Sequence, residues 1–116
     1  MKTYFRFIRG LNGKGIGAVQ IDECEFGQFK IGISICNPND EFDKKTAHKV
    51  CEENIKNSFF YDFYEIIDGD WYDDVISNLP KRDWIADDVV STLYEMSDDI
   101  LMDYAREHFK AIRKSS

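Results

Sequence analysis

Two histidines, three cysteines and a crowd of aspartates are the residues of this 116-residue chain whose types can do chemistry. His48 and His108 stand alone. Neither lies in a His-Glu-x-x-His pattern, which would set two imidazoles and a general base on one helix face, and neither has a ligand cluster beside it. Cys24, Cys36 and Cys51 are odd in number and widely separated, which fits neither a disulfide framework nor the close pairs of a zinc site; they read as buried reduced thiols. Asp68-Gly69-Asp70-Trp71-Tyr72-Asp73 suggests calcium, but lacks an oxygen ligand at the fifth position and the glycine at the sixth that an EF-hand loop needs. Gly10-Leu11-Asn12-Gly13-Lys14-Gly15-Ile16-Gly17 lacks the Gly-Lys-Ser/Thr of a phosphate loop and the glycine spacing of a dinucleotide fingerprint. No serine or cysteine nucleophile motif is present, and aspartate pairs on a helix surface lack the cleft that raises a carboxyl pKa for acid and base work. The expectation is a protein without catalytic residues, metal or cofactor.

The strongest chemical signal is charge. Between Tyr61 and Tyr104 thirteen acidic residues face only Lys81 and Arg82, a local net charge of −11 against −7 for the whole chain. Trp71, Tyr72, Trp84 and Tyr94 stand among those carboxylates, so the stretch reads as a folded acidic surface and not a disordered acidic tail. A solvated helix face usually mixes signs, because Glu and Lys four apart support each other while like charges repel. This one gives up that support. The pI near 4.7 argues against direct binding of nucleic acid, which needs a basic surface to neutralise phosphates, and favours a basic protein partner or plain solubility.

The elements that must position this surface follow from periodicity. At 43 % hydrophobic and 15 % aromatic, the chain is expected to form one domain over residues 1–116 with its own core. It shows no membrane-length apolar run and no signal-peptide core at its start, so a cytoplasmic location is expected. Thr3 to Arg9 alternates, with Tyr4, Arg6 and Ile8 on one face and Phe5 and Phe7 on the other, and reads as a strand with its aromatic face inward. Asn12-Gly13 marks a hairpin turn, Ile16 to Asp22 a second strand, and Glu23 to Gly27 a connection. Phe29, Ile31, Ile33 and Ile35 alternate with Gln28, Lys30, Gly32 and Ser34 in a third strand. Pro38 ends the ladder, Asn39 or Asp40 is placed to cap a helix, and Phe42, Thr46 or Ala47, Val50, Cys51 and Ile55 recur at helical spacing to about Lys56. Ser58 to Ile67 is aromatic and ambiguous between a fourth strand and an irregular connection, with β propensity favouring the strand. Trp71, Val75 and Leu79 predict a two-turn helix ended by Pro80. Asp83 is placed to cap a longer pattern, Ile85, Val89, Leu93, Met96, Ile100 and Tyr104, which is one kinked helix or two helices broken at Ser97-Asp98-Asp99. The basic tail from Arg106 suits a helix C-terminus. The fold class is therefore α+β: an antiparallel sheet of three strands with a possible fourth, one helix packed on it, and an acidic helical C-terminal half.

Ile33-Ser34-Ile35-Cys36-Asn37-Pro38-Asn39-Asp40-Glu41-Phe42-Asp43-Lys44-Lys45 resembles a segment of small, mostly uncharacterised phage and prophage proteins: strand, Cys, a Pro-x-Asp turn, Phe, then paired Lys opening a helix. The resemblance implies an origin in a mobile element, and it carries over no functional residue.

Three functional readings are open. In the first, the chain is a small acidic inhibitor of the anti-CRISPR kind. Its carboxylates imitate the phosphates of nucleic acid and occupy a basic groove on a host defence nuclease. Asp70, Asp73, Asp74, Asp87, Asp88, Glu95, Asp98 and Asp99 supply the charge, and Trp71, Tyr72 and Tyr94 supply anchoring contacts. In the second, the glycine loop with Arg6, Arg9 and Lys14 sequesters an anionic signalling nucleotide. In the third, the Phe59 to Tyr64 cluster mediates self-association of a structural or assembly protein.

Overall fold

The period-two alternation of the N-terminal third becomes a β ladder. The structure is a computed structural model that describes residues 2–10, 15–25, 27–36, 41–69, 77 and 83–115, the side chains of 83–87 and 108–115 excepted. Strand β1 (Thr3–Arg9) pairs antiparallel with β2 (Gly15–Glu25), in the register Thr3 opposite Asp22 to Ile8 opposite Gly17, with an irregularity between Ile8 and Arg9. β2 pairs antiparallel with β3 (Gln28–Ile35). The second strand runs three residues further than its sequence pattern indicates. Glu23, Cys24 and Glu25 continue the ladder through a bulge, and Gly27, at φ +78°, makes the reversal that an L side chain would strain. The Asn12-Gly13 turn lies outside the described residues.

The ambiguous aromatic run resolves into two elements. Tyr61–Asp62 forms β4, a two-residue strand beside β3 that completes the order β1-β2-β3-β4. The chain then enters helix α2 (Phe63–Asp68), which β propensity obscures. The Asp62 carboxylate caps it by accepting from the Glu65 amide at 2.8 Å, and Gly69 ends it in the left-handed conformation.

Both faces of the sheet are covered. Helix α1 (Lys44–Lys56) lays Ala47, Cys51 and Ile55 on one face. There it meets Ala18, with Phe5, Phe7 and Phe42 packed around the contact. Gly32 permits the approach, since a Cβ there would stand 2.2 Å from the Cys51 carbonyl oxygen. The cap of α1 is Asp43, which accepts from the Lys45 amide and from the Thr46 hydroxyl at 2.7 Å. Asn39 and Asp40, the residues expected to cap it, lie outside the described residues, and Phe42 precedes the helix. On the other face lies α3 (Asp83–Ser115), a single helix of 33 residues. Its Val89, Leu93, Met96 and Ile100 are buried against Ile8, Val19, Ile21, Phe29 and Ile31. Ser97 does not cap a second helix. It is buried in mid-helix, and its hydroxyl donates to the Ile66 carbonyl of α2 at 3.2 Å. The aromatic face of β1 thus meets α1, while the Tyr4, Arg6 and Ile8 face meets α3. The short helix expected over Trp71 to Leu79 lies outside the described residues apart from Ser77, which is helical.

Candidate functional site

Helix α3 presents two different polar aspects. Along the side that faces β1 run Glu95, Asp99 and Asp103, each four residues from the next. Four helical residues rise about 6 Å, and two strand residues rise about 6.8 Å, so this row matches the alternate side chains Lys2, Tyr4 and Arg6 of the antiparallel strand. The Arg6 guanidinium reaches Asp99 at 2.7 Å and 3.2 Å through two nitrogens, and Glu95 at 3.2 Å through a third. Asp99 above all, with Glu95, holds Arg6 more firmly in its charged form. One Asp103 oxygen accepts from the Tyr4 hydroxyl at 2.8 Å and from the Lys2 ammonium at 3.1 Å. Those bonds hold the Asp103 carboxyl below its ordinary pKa, while partial burial and the Asp103 charge push the Tyr4 phenol up. At the same end of the sheet the Tyr104 hydroxyl donates to Glu23 and accepts from the Gly27 amide at 3.0 Å. Burial, then the Glu23 contact, pushes its pKa up to about 12, and Phe63 of α2 stacks on its ring at a centroid distance of 4.3 Å.

The opposite side of α3 faces solvent. Tyr94, Leu101 and Met102 are 57 %, 43 % and 54 % exposed, with exposed Asp98 among them. By helical spacing, Tyr94, Asp98, Leu101 and Met102 share this face.

The sequence-derived set therefore divides. Glu95 and Asp99 are engaged by Arg6 and serve to seat the helix as well as to carry charge. Asp98 and Tyr94 lie on the solvent side. Asp88 is partly exposed beside the groove between β1 and α3, where its carbonyl accepts from the Thr92 hydroxyl at 2.9 Å. Asp70, Trp71, Tyr72, Asp73 and Asp74 lie outside the described residues, as does the Asp87 side chain. Leu101 and Met102 are absent from the set although they are prominent on this face, because the stripe Ile85 to Tyr104 accounts for α3 without them. Arg6, expected as a ligand contact in the nucleotide reading, is committed to α3.

No family model, curated protein or solved structure matches the chain.

An open groove of about 430 Å³ lies along the outer edge of β1, lined by Phe5, Arg6, Phe7, Arg9, Asp88, Ser91, Thr92 and Glu95. Another of about 390 Å³ lies between the end of β3 and the start of α1, next to Cys36, Phe42, Asp43 and Thr46. Among the described residues no group of three or more His, Cys, Asp or Glu side chains is placed to hold a metal ion. No described helix is long and apolar enough to cross a membrane. His48 stacks on Phe5 at a ring distance of 3.8 Å. Of the cysteines only Cys51 is fully buried; Cys24 and Cys36 are partly exposed, because the bulge carries the one and the strand end the other away from the core. Burial pushes the Cys51 thiol up to about 11, and its sulfur contacts the Ala18 carbonyl at 3.5 Å.

Proposed function

We propose that this chain is a non-catalytic binding protein whose acidic surface docks on the basic, nucleic-acid-binding surface of a partner and blocks it, as an anti-CRISPR protein blocks a defence nuclease. The observation that carries the reading is the solvent face of α3, where Tyr94, Leu101 and Met102 stand 57 %, 43 % and 54 % exposed around Asp98. Large apolar and aromatic side chains beside carboxylates have the make-up of an interface that combines anchors with electrostatic steering. The net charge of −7 supports attraction to a basic surface, and the phage-like segment Ile33 to Lys45 supports a mobile-element setting inside a host cell. The ion pairs of Glu95 and Asp99 with Arg6 move the centre of the proposed contact outward, to Asp98 and its neighbours.

The test is inhibition of nucleic-acid cleavage by RNA-guided defence nucleases, measured at low and high salt. Inhibition is expected to weaken with salt and to compete with nucleic acid. Tyr94→Ala combined with Asp98→Lys is expected to reduce it at least tenfold with the melting temperature preserved. Full inhibition by that folded double variant overturns the reading.

The exposed aromatic cluster favours self-association as a second reading: Phe59 is 81 % and Tyr64 75 % exposed. A stable homo-oligomer in light scattering that Phe59→Ser dissociates would favour it over the first.

A further inference from the structure

The two outer edges of the sheet are finished differently. In an antiparallel ladder the backbone groups of successive residues point alternately to the two neighbouring strands. On β3 and the residue before it the odd residues point outward, and the chain itself meets each from Gly27 to Ile33 at least once: Gly27 O accepts from the Phe63 amide at 2.9 Å, Phe29 pairs with Tyr61, Ile31 N donates to the Ser58 hydroxyl at 3.2 Å, and Ile33 O accepts from the Asn54 side chain at 2.7 Å. On β1 the Glu23 amide donates to Lys2 O at 2.9 Å. That bond fixes the phase of the ladder, so Tyr4, Arg6 and Ile8 turn their backbone groups toward β2, and Thr3, Phe5 and Phe7 turn theirs away from the sheet. β1 is the terminal strand, and among the described residues no strand meets those outward groups.

We propose that the free edge of β1 is a strand-addition site for an extended basic segment of a partner protein. An added strand would bond to Thr3, Phe5 and Phe7 and continue the sheet. Its residues opposite Phe5 and Phe7 would fall on the α1 face, beside the Phe5, Phe7 and His48 rings, where apolar side chains fit. Those between them would fall on the α3 face and reach into the groove of about 430 Å³ toward Asp88, past Arg6 and Arg9, which line it as well. α3 runs antiparallel to β1, as the pairs Tyr4 with Asp103 and Arg6 with Glu95 require. Asp88 therefore lies toward the Ile8 end, beyond the reach of the pairing that neutralises Glu95 and Asp99. An alternation of apolar and basic residues satisfies both faces. A second copy of this chain is disfavoured, although its β1 carries Phe5, Arg6 and Phe7 in alternation, because pairing β1 with its own image would bring two molecules of net charge −7 together. The choice of a basic occupant rests on the function proposed above; the edge geometry does not.

The probe is a seven-residue peptide of alternating Lys and Val, with the alternating Glu and Val peptide as control, read by amide hydrogen exchange and by fluorescence anisotropy on the full chain. In the free protein the amides of Phe5 and Phe7 are expected to exchange faster than those of Arg6 and Ile8. The Lys-Val peptide should bind and protect Phe5 and Phe7, and the Glu-Val peptide should bind at least tenfold more weakly. Thr3→Pro removes an outward donor at the strand start without touching a bond to β2, and is expected to reduce binding at least tenfold at unchanged melting temperature. Asp88→Lys should do the same. Tyr94→Ala with Asp98→Lys should leave peptide binding intact, which separates this site from the α3 surface. Absence of Lys-Val binding, binding without protection of Phe5 and Phe7, or a homodimer that protects those amides without peptide would each overturn the proposal.

Discussion

At the scale of single residues, the acidic character of α3 is less uniform than its composition. Asp103 is worked into a small network with Tyr4 and Lys2, and Tyr104 into another with Glu23 and Gly27. Both networks link stability to pH. Asp103 has a depressed pKa in the fold, so the unfolded chain binds its proton more readily. Its contribution is complete above the unfolded value of about 3.9 and is lost as the pH falls through the lower folded value. Tyr104 has a raised pKa, so its contribution is complete below the unfolded value of about 10 and is lost as the pH rises through about 12. The melting temperature is expected to fall at both extremes. Asp103→Asn should flatten the acid limb and Tyr104→Phe the alkaline limb, as followed by circular dichroism; limbs unchanged by these substitutions would contradict the assignment.

At the scale of elements, local signals decide more than propensity does. Helix α2 has only six residues and lies in an aromatic run that favours a strand, yet Asp62 at its start, Glu65 three residues on and Gly69 after its end are a cap and a stop written in the sequence. Asp62→Ala is expected to cost about 1 kcal/mol in chemical denaturation, with Asp62→Asn retaining most of it. The apolar stripe of the long helix was legible from spacing, because Val89, Leu93, Met96 and Ile100 recur at 4, 3 and 4 and all are buried; that the helix runs unbroken through Ser97-Asp98-Asp99 was not. The strands were legible from alternation, although β2 continues through its bulge into residues that read as a connection. The pairing of Arg6 with Glu95 and Asp99 was not legible. It depends on which face of the first strand meets the last helix and in what register, and neither follows from local pattern. The same limit hid the open edge of β1, since strand order decides which strand is terminal. The division of α3 into a seated acidic row and a solvent-facing apolar one was hidden for the same reason.

At the scale of the whole molecule, the sheet is a shared floor for two separate cores. The α3 side is built from large aliphatic side chains and the α1 side from small residues and rings. The α1 side depends on close backbone approach, so it should tolerate added volume poorly. Gly32→Ala places a methyl group 2.2 Å from the Cys51 carbonyl oxygen and 2.7 Å from an Ile55 side-chain carbon, which forces α1 off the sheet. A loss of about 1–3 kcal/mol is expected, measured by urea denaturation. It should be accompanied by faster thiol labelling of Cys51, whose protection comes from that seat.

The meeting of β1 with α3 also bears on the expected order of folding. Lys2 and Asp103 are 101 positions apart and Arg6 and Asp99 are 93, so these contacts form only after a long loop has closed, at an entropic cost that grows slowly with its length. The hairpins of the sheet and the α1 contact are nearer in sequence and need no such closure. A nascent chain that has completed α1 thus carries a sheet covered on one face, with Ile8, Val19, Ile21, Phe29 and Ile31 bare on the other until α3 has been synthesised. Through that interval the chain leaves bare the apolar face that α3 later covers, and α3 is expected to dock last.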